Sequence, residues 1–233
     1  MNITILAGGE GKRMKSSIPK VLHLFYGKPM IVRILEESLS LKPSSIFIIV
    51  GKFYKEIKET IEKYITSTII QYIEQPFPLG TGDAIRQCLP YYKDNEFVLI
   101  LNGDMPNFKS HILGDSIQKK DNVLFIFSKE DPTGYGRIKI ENSKIIKIIE
   151  EKDTTKEEKK IKLVNTGIYF LESNLLKEYI PKIENKNKQN EYYLTSLFEI
   201  SEIPIYPFYL TEKEEQYILG VNTKEELENL YKK

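Results

Sequence analysis

Four short, nearly unbroken apolar runs punctuate the first half of the chain: residues 3–7 (ITILA), 46–50 (IFIIV), 68–73 (TIIQYI) and 97–101 (FVLIL). Apolar character that does not alternate over about five residues predicts strands buried on both faces of a mainly parallel sheet. Between these runs the apolar positions switch to helical spacing. One helix is expected to begin near Pro29, with Met30, Ile31, Ile34, Leu35 and Leu39 on one face. A second covers 53–65 through Phe53, Ile57, Ile61 and Tyr64, and a third follows Gly80-Thr81-Gly82. Strands alternating with helices through short joints imply right-handed crossovers and a doubly wound α/β sheet.

The second half changes texture. Residues 123–127, 137–140, 145–149 and 163–170 read as strands, the middle two as a hairpin turning at Glu141-Asn142-Ser143. The charged stretch Glu150 to Lys162 has no apolar face before Ile161, which predicts an exposed loop or a short solvated helix. A closing helix is expected over about 223–232, opened by the capping-box pattern Thr223-x-x-Glu226.

Composition narrows the function classes. A chain of 233 residues, 41% hydrophobic and 29% charged, can bury one substantial core, as one domain or as one domain with a small lobe. Its 34 basic and 33 acidic residues nearly cancel, which argues against a general nucleic-acid binder. The single cysteine, Cys88, excludes an intrachain disulfide and argues against a Cys-ligated zinc site. No apolar run approaches the roughly 20 residues that a membrane-spanning helix needs. The start, Met1 to Ala7, has no basic segment of the kind that opens a signal peptide, and a cytosolic address is the expectation.

The chemistry concentrates after the first strand, in Gly8-Gly9-Glu10-Gly11-Lys12-Arg13-Met14 and Pro19-Lys20. Glycines at the carboxyl end of a strand let the backbone approach a ligand and turn N–H groups toward phosphate or base acceptors. Two familiar phosphate motifs fail. A Walker loop would need glycine where Leu6 stands, and a dinucleotide fingerprint would need it at Met14. A glycine-rich turn is by itself equally a tight loop without a ligand. The neighbouring cations Arg13 and Lys20 tilt the reading toward a polyphosphate.

The run L-A-G-G-x-G-x-R-M, followed by P-K-V-L-H and G-K-P-M, resembles the uridylyltransferase domain of bacterial bifunctional N-acetylglucosamine-1-phosphate uridylyltransferases. Further motifs follow in order: Gln75 with Leu79-Gly80-Thr81-Gly82, Asn102-Gly103-Asp104, Gly134 to Ile138 and Glu150 to Asp153. Asn165-Thr166-Gly167, Glu191 to Thr195 and Gly220-Val221-Asn222 complete the series. The resemblance implies a mostly parallel, Rossmann-like nucleotidyltransferase sheet with a smaller β-rich sugar-binding lobe. The nucleotide part would occupy about 1–110, the sugar part about 111–222 and the last helix the remainder. The implied reaction is Mg2+-dependent transfer of UMP from UTP to N-acetylglucosamine-1-phosphate, releasing pyrophosphate.

The resemblance also implies residue roles. Asp104 and Asn222 would ligate Mg2+, with Thr223 filling the helix cap and so leaving the Asn222 side chain free. Arg13 and Lys20 would hold phosphates, with Lys12 a lesser candidate. Leu6, Ala7, Gly8, Gly9, Gly80, Thr81 and Gly103 would shape the nucleotide site, and Gln75 would offer the uracil edge a donor and an acceptor. Gly136, Glu150, Asn165, Tyr192 and Thr195 would receive the sugar. His23 reads as structural; His111 and Cys88 carry no role. The chain departs from the family pattern at Gly8, Asp83, Asn102, Asn190 and Ser196, where alanine, histidine, tyrosine, glycine and aspartate are usual. The family usually continues into a β-helix acetyltransferase domain that forms trimers. Here neither that activity nor that trimer is expected, only a monomer or a homodimer. Another nucleotide or sugar phosphate, or a catalytically silent sugar-nucleotide sensor, are the alternative readings.

Overall fold

The computed structural model describes residues 1–231. The strands are β1 Asn2–Leu6, β2 Leu24–Phe25, β3 Lys28–Pro29, β4 Ser45–Val50, β5 Ile70–Glu74 and β6 Phe97–Asn102. They continue with β7 Val123–Ser128, β8 Arg137–Glu141, β9 Lys144–Ile149, β10 Leu163–Glu172 and β11 Tyr206–Tyr209. The helices are α1 Met30–Ser40, α2 Tyr54–Tyr64, α3 Thr81–Cys88, α4 Ser116–Lys119, α5 Ser173–Tyr179, α6 Leu197–Ile200, α7 Glu215–Ile218 and α8 Lys224–Leu230.

One nine-stranded sheet organises the chain, in the order β11-β7-β10-β6-β1-β4-β5, with the β8–β9 hairpin attached to β10. Along that path only β10 runs against its neighbours. The expected doubly wound, mostly parallel architecture is the one observed. Ile46, Ile48 and Val50 of β4 face α1 and α2 on one side, where Ile34, Leu35, Ile57 and Ile61 close the core. Phe47 and Ile49 face the opposite side, where Ala84, Ile85 and Cys88 of α3 and Leu175 and Leu176 of α5 cover the sheet. Burial on both faces is why these strands read as continuous apolar runs.

The departures from expectation are local. The hairpin turns on two residues, Asn142 and Ser143, both with positive φ, as a tight turn matched to strand twist requires. The β2–β3 hairpin is too short to show periodicity. β11 contains Pro207 and pairs only with β7, the edge position where a strand tolerates proline. The 150–162 stretch is a loop carrying one 3-10 turn, Glu158–Lys160. Residue 232 of the expected last helix lies outside the described residues. A third apolar cluster of Met14, Phe25, Met30, Val221, Leu227 and Leu230 packs α8 against the glycine loop and the β2–β3 hairpin. The last helix therefore reaches the region of the first loop, which no local pattern announces. No helix among the described residues is long and apolar enough to cross a membrane.

Candidate active site

Strand register brings the key loops together at the carboxyl edge of the sheet. Leu6 pairs with Asn102 on one side and Ile49 on the other, and Val50 pairs with Glu74. Gly103 N donates to Leu6 O at 2.9 Å, Ala7 N to Ile49 O at 2.9 Å and Gln75 N to Val50 O at 2.7 Å. The glycine loop, Gln75 and Asp104 consequently emerge side by side. Gly51, absent from the sequence-based candidates, belongs to this row: a Cβ there would lie 2.8 Å from Gly8 O. A glycine directly ending an apolar strand was the available signal.

Asp104 and Asn222 do converge, although 118 positions separate them in number. Lys20 Nζ donates to Asn222 Oδ1 at 2.8 Å and pairs with the Asp104 carboxylate; Arg13 donates to the same Asn222 oxygen at 2.9 Å. Backbone ties hold the segment in place, Val221 N donating to Asp104 O at 2.9 Å. The cap behaves as its pattern implied. Thr223 Oγ1 accepts from Glu226 N at 3.1 Å, and Glu226 Oε2 accepts from Asn222 N at 2.6 Å. Glu226 thus fixes the backbone of Asn222 while leaving its side chain to the site. Among the described residues no cluster of three or more His, Cys, Asp or Glu side chains could hold a metal. What the site offers instead is two hard oxygens, one carboxylate and one amide, gathered on a single cation.

A cleft of about 580 Å3 opens from this cluster. Leu6, Arg13, Thr81, Asp104 and Asn222 line one part, and Gly136, Glu150, Asn165 and Thr195 line another. Thr195 Oγ1 donates to Glu150 Oε1 at 2.7 Å, leaving Oε2 beside Gly136. Asn165 donates to the Tyr169 hydroxyl at 2.8 Å and accepts from Gly167 N at 2.9 Å. Burial holds the Glu150 carboxyl above its ordinary range against the Thr195 hydrogen bond, with Asp153 and Glu191 acting in the same direction as burial. The folded protein then binds this proton more readily than the unfolded chain. Stability from this group is therefore lost as pH rises from the usual glutamate range through the raised folded value, by at most about 1.4 kcal/mol per pH unit. Glu150→Gln should flatten that limb of a plot of Tm against pH; equal slopes in the two proteins would contradict the assignment.

Apart from Thr81, the remaining sequence candidates are not among the residues that line the cleft. Gln75 donates to Gly80 O at 3.0 Å and to Asp83 Oδ2 at 2.9 Å, so both its N–H groups are spent within the protein. The expected donor is thereby engaged and its oxygen is the atom left to offer. Among the described residues nothing lies within 4 Å of a Cβ position at Gly9, so the space beside it is open. Thr81 Oγ1 accepts from Leu194 N at 3.0 Å. The Tyr192 ring turns away from the cleft, its centroid 4.7 Å from the Arg86 guanidinium, while its backbone is bound to the 79–82 segment. Lys12 is exposed and paired with Glu10 at 2.8 Å, away from the cluster. Burial pushes the His23 imidazole below its ordinary value, and the residue takes no part in the cluster.

Fold and cleft together define a class, an α/β protein whose cleft at the carboxyl edge of the sheet gathers cations, a carboxylate and an amide. The chain belongs to the nucleotidyl transferase family, whose model matches residues 3–202. It is 45% identical to a probable UDP-N-acetylglucosamine pyrophosphorylase of Acanthamoeba polyphaga mimivirus, over 97% of this chain and 93% of that protein. It is 40% identical to the bifunctional protein GlmU of a Nitratiruptor species, matching 98% of this chain but 52% of that protein. The chain thus spans about half the length of such bifunctional relatives. In fold it is similar to a UDP-glucose pyrophosphorylase solved with UDP-glucose, with a TM-score of 0.76 at 18% identity, covering 99% of this chain and 97% of the other.

Proposed function

We propose that the chain transfers UMP from UTP to N-acetylglucosamine-1-phosphate, yielding UDP-N-acetylglucosamine and pyrophosphate. The observation that carries this reading is the meeting of Asp104 and Asn222 at a cleft whose other part presents Glu150, Asn165 and Gly136. The relative named for UDP-N-acetylglucosamine, similar over nearly its whole length, supports the choice of substrates. Residues of about 1–110 would take the nucleotide and those of about 111–222 the sugar.

Two protein oxygens suit Mg2+, which favours few protein ligands and takes the rest from phosphate and water. When bound, Mg2+ supplies charge neutralisation to phosphate oxygens. The chain's own side chains do the remaining work. The second pKa of a phosphate monoester is about 6, so the sugar phosphate is largely dianionic at neutral pH and needs no general base. Its oxygen forms the new bond to the α-phosphorus while the α–β bridging bond breaks, and the electron pair leaves with pyrophosphate. Arg13 and Lys20 neutralise the charge that develops on the departing group. Glu150 Oε2 accepts from sugar hydroxyls, and Gly136 meets the sugar through its backbone. Holding the two substrates in line can contribute roughly 7 to 11 kcal/mol to lowering the barrier.

Pyrophosphate release measured for four nucleoside triphosphates against several sugar phosphates, with and without Mg2+, tests the proposal. UTP with N-acetylglucosamine-1-phosphate should exceed every other pair and should depend on the metal. A faster reaction with another nucleotide, or none with any pair, would overturn it.

A further inference from the structure

Asp83 is a charged residue only 6% exposed, one position beyond the Gly80-Thr81-Gly82 segment, and the proposed reaction leaves it without a role. It stands in the first turn of α3, where the helix dipole favours a negative charge. One carboxylate oxygen accepts from Gln75 Nε2 at 2.9 Å, and the other lies 3.4 Å from Gln87 Nε2. Gln75, itself 7% exposed, is fixed from two sides, because Gly80 O takes its other N–H at 3.0 Å. Two oxygens that can only accept must both face the NH2 end of the amide. The amide cannot invert without setting its own oxygen against Gly80 O and a carboxylate. Its Oε1 is consequently held toward the glycine loop, 3.0 Å from where a Cβ of Gly8 would sit.

We propose that Asp83 is a positioning residue that makes the base pocket an acceptor site, selecting a pyrimidine with an N–H at ring position 3 over one with a lone pair there. The inference rests on the nucleotide reading above and extends it. Uracil donates N3–H to Gln75 Oε1. Cytosine sets its N3 lone pair against the same oxygen, and no N–H of Gln75 is free to relieve it. A site that leaves a polar pair unmatched discriminates more strongly than one that differs only in size.

The test compares kcat/KM for UTP and CTP in the wild type, Asp83→Ala and Asp83→Asn, with folding followed by urea denaturation. Asp83→Ala removes one of the two anchors of the Gln75 amide, leaving it to turn about the remaining bond to Gly80 O, and should lower the UTP:CTP ratio about tenfold or more, chiefly through KM for UTP. Asp83→Asn keeps an acceptor oxygen and should stay within about threefold of the wild-type ratio. A purely structural role would slow both nucleotides together, so an unchanged ratio in folded Asp83→Ala overturns the inference. If that variant does not fold, the wild type decides with 3-methyl-UTP, which lacks the N3–H. Use of 3-methyl-UTP as readily as UTP overturns the inference, and loss of its use supports it. A wild type with no preference for UTP overturns both this inference and the proposed function, whereas an unchanged ratio leaves the proposed function standing.

Discussion

Asp104→Ala is expected to lower pyrophosphate release by on the order of a hundredfold or more, the scale seen when a preorganised charge partner is removed. The loss should be one of chemistry rather than of folding. The side chain sits just past β6 and, among the described residues, is tied to the cluster only through Lys20, while its backbone carbonyl, which the variant keeps, accepts from Val221 N at 2.9 Å. The 220–222 segment therefore stays anchored. A second measurement separates metal loss from general damage: added Mg2+ should raise Tm in the wild type, as any ligand of the folded state does, and should raise it little in the variant. Turnover near that of the wild type, or the same Mg2+ response in both proteins, would remove the metal assignment.

Gly80→Ala is expected to damage stability and binding together. Gly80 has φ +111, a conformation side chains rarely adopt, and an added Cβ would lie 2.6 Å from Tyr192 O and 2.9 Å from Tyr192 N. Backbone strain alone costs about 1–3 kcal/mol. The clash adds to it, because the obstructing atoms are backbone and cannot rotate aside. The 191–193 segment must then separate from 79–82, breaking the bonds from Tyr192 N to Leu79 O and from Gly82 N to Tyr192 O, both 2.7 Å. That segment leads directly into Thr195, which holds Glu150. The variant should show a lowered urea midpoint and raised KM values for both the nucleotide and the sugar phosphate. Gly9→Ala, where an added Cβ meets nothing within 4 Å, should keep the wild-type midpoint. A Gly80→Ala midpoint equal to the wild type would show that the two segments are not coupled as described.

Most of the sheet and four of its eight helices were legible from the chain, because burial on both faces writes itself as apolar runs and as 3.6-residue spacing; α4, α5, α6 and α7 were not expected. The eight longer strands and helices α1, α2 and α8 were expected within a few residues of their observed limits, and α3 was expected by its start alone. β11 and the β2–β3 hairpin were not, since two to four residues at a sheet edge carry too little pattern. The capping box at Thr223 and Glu226 was likewise readable, being a contact between neighbours in sequence. The residue types for phosphate and sugar chemistry stood in recognisable motifs.

What the motifs did not contain was which side chains meet. That Lys20 would gather Asp104 and Asn222, that Glu226 would hold Asn222, and that Tyr192 would turn its ring to Arg86 follow from strand register and loop packing. The same holds for Gln75. Its sequence permits either end of the amide to face a ligand, and only the arrangement of Gly80 O and Asp83 around it removes the choice. Elements follow from interactions a few residues apart, which the order of residues states directly. Which groups share a proton or an ion depends on distances of a few ångströms between remote segments, and those are set only when the sheet closes.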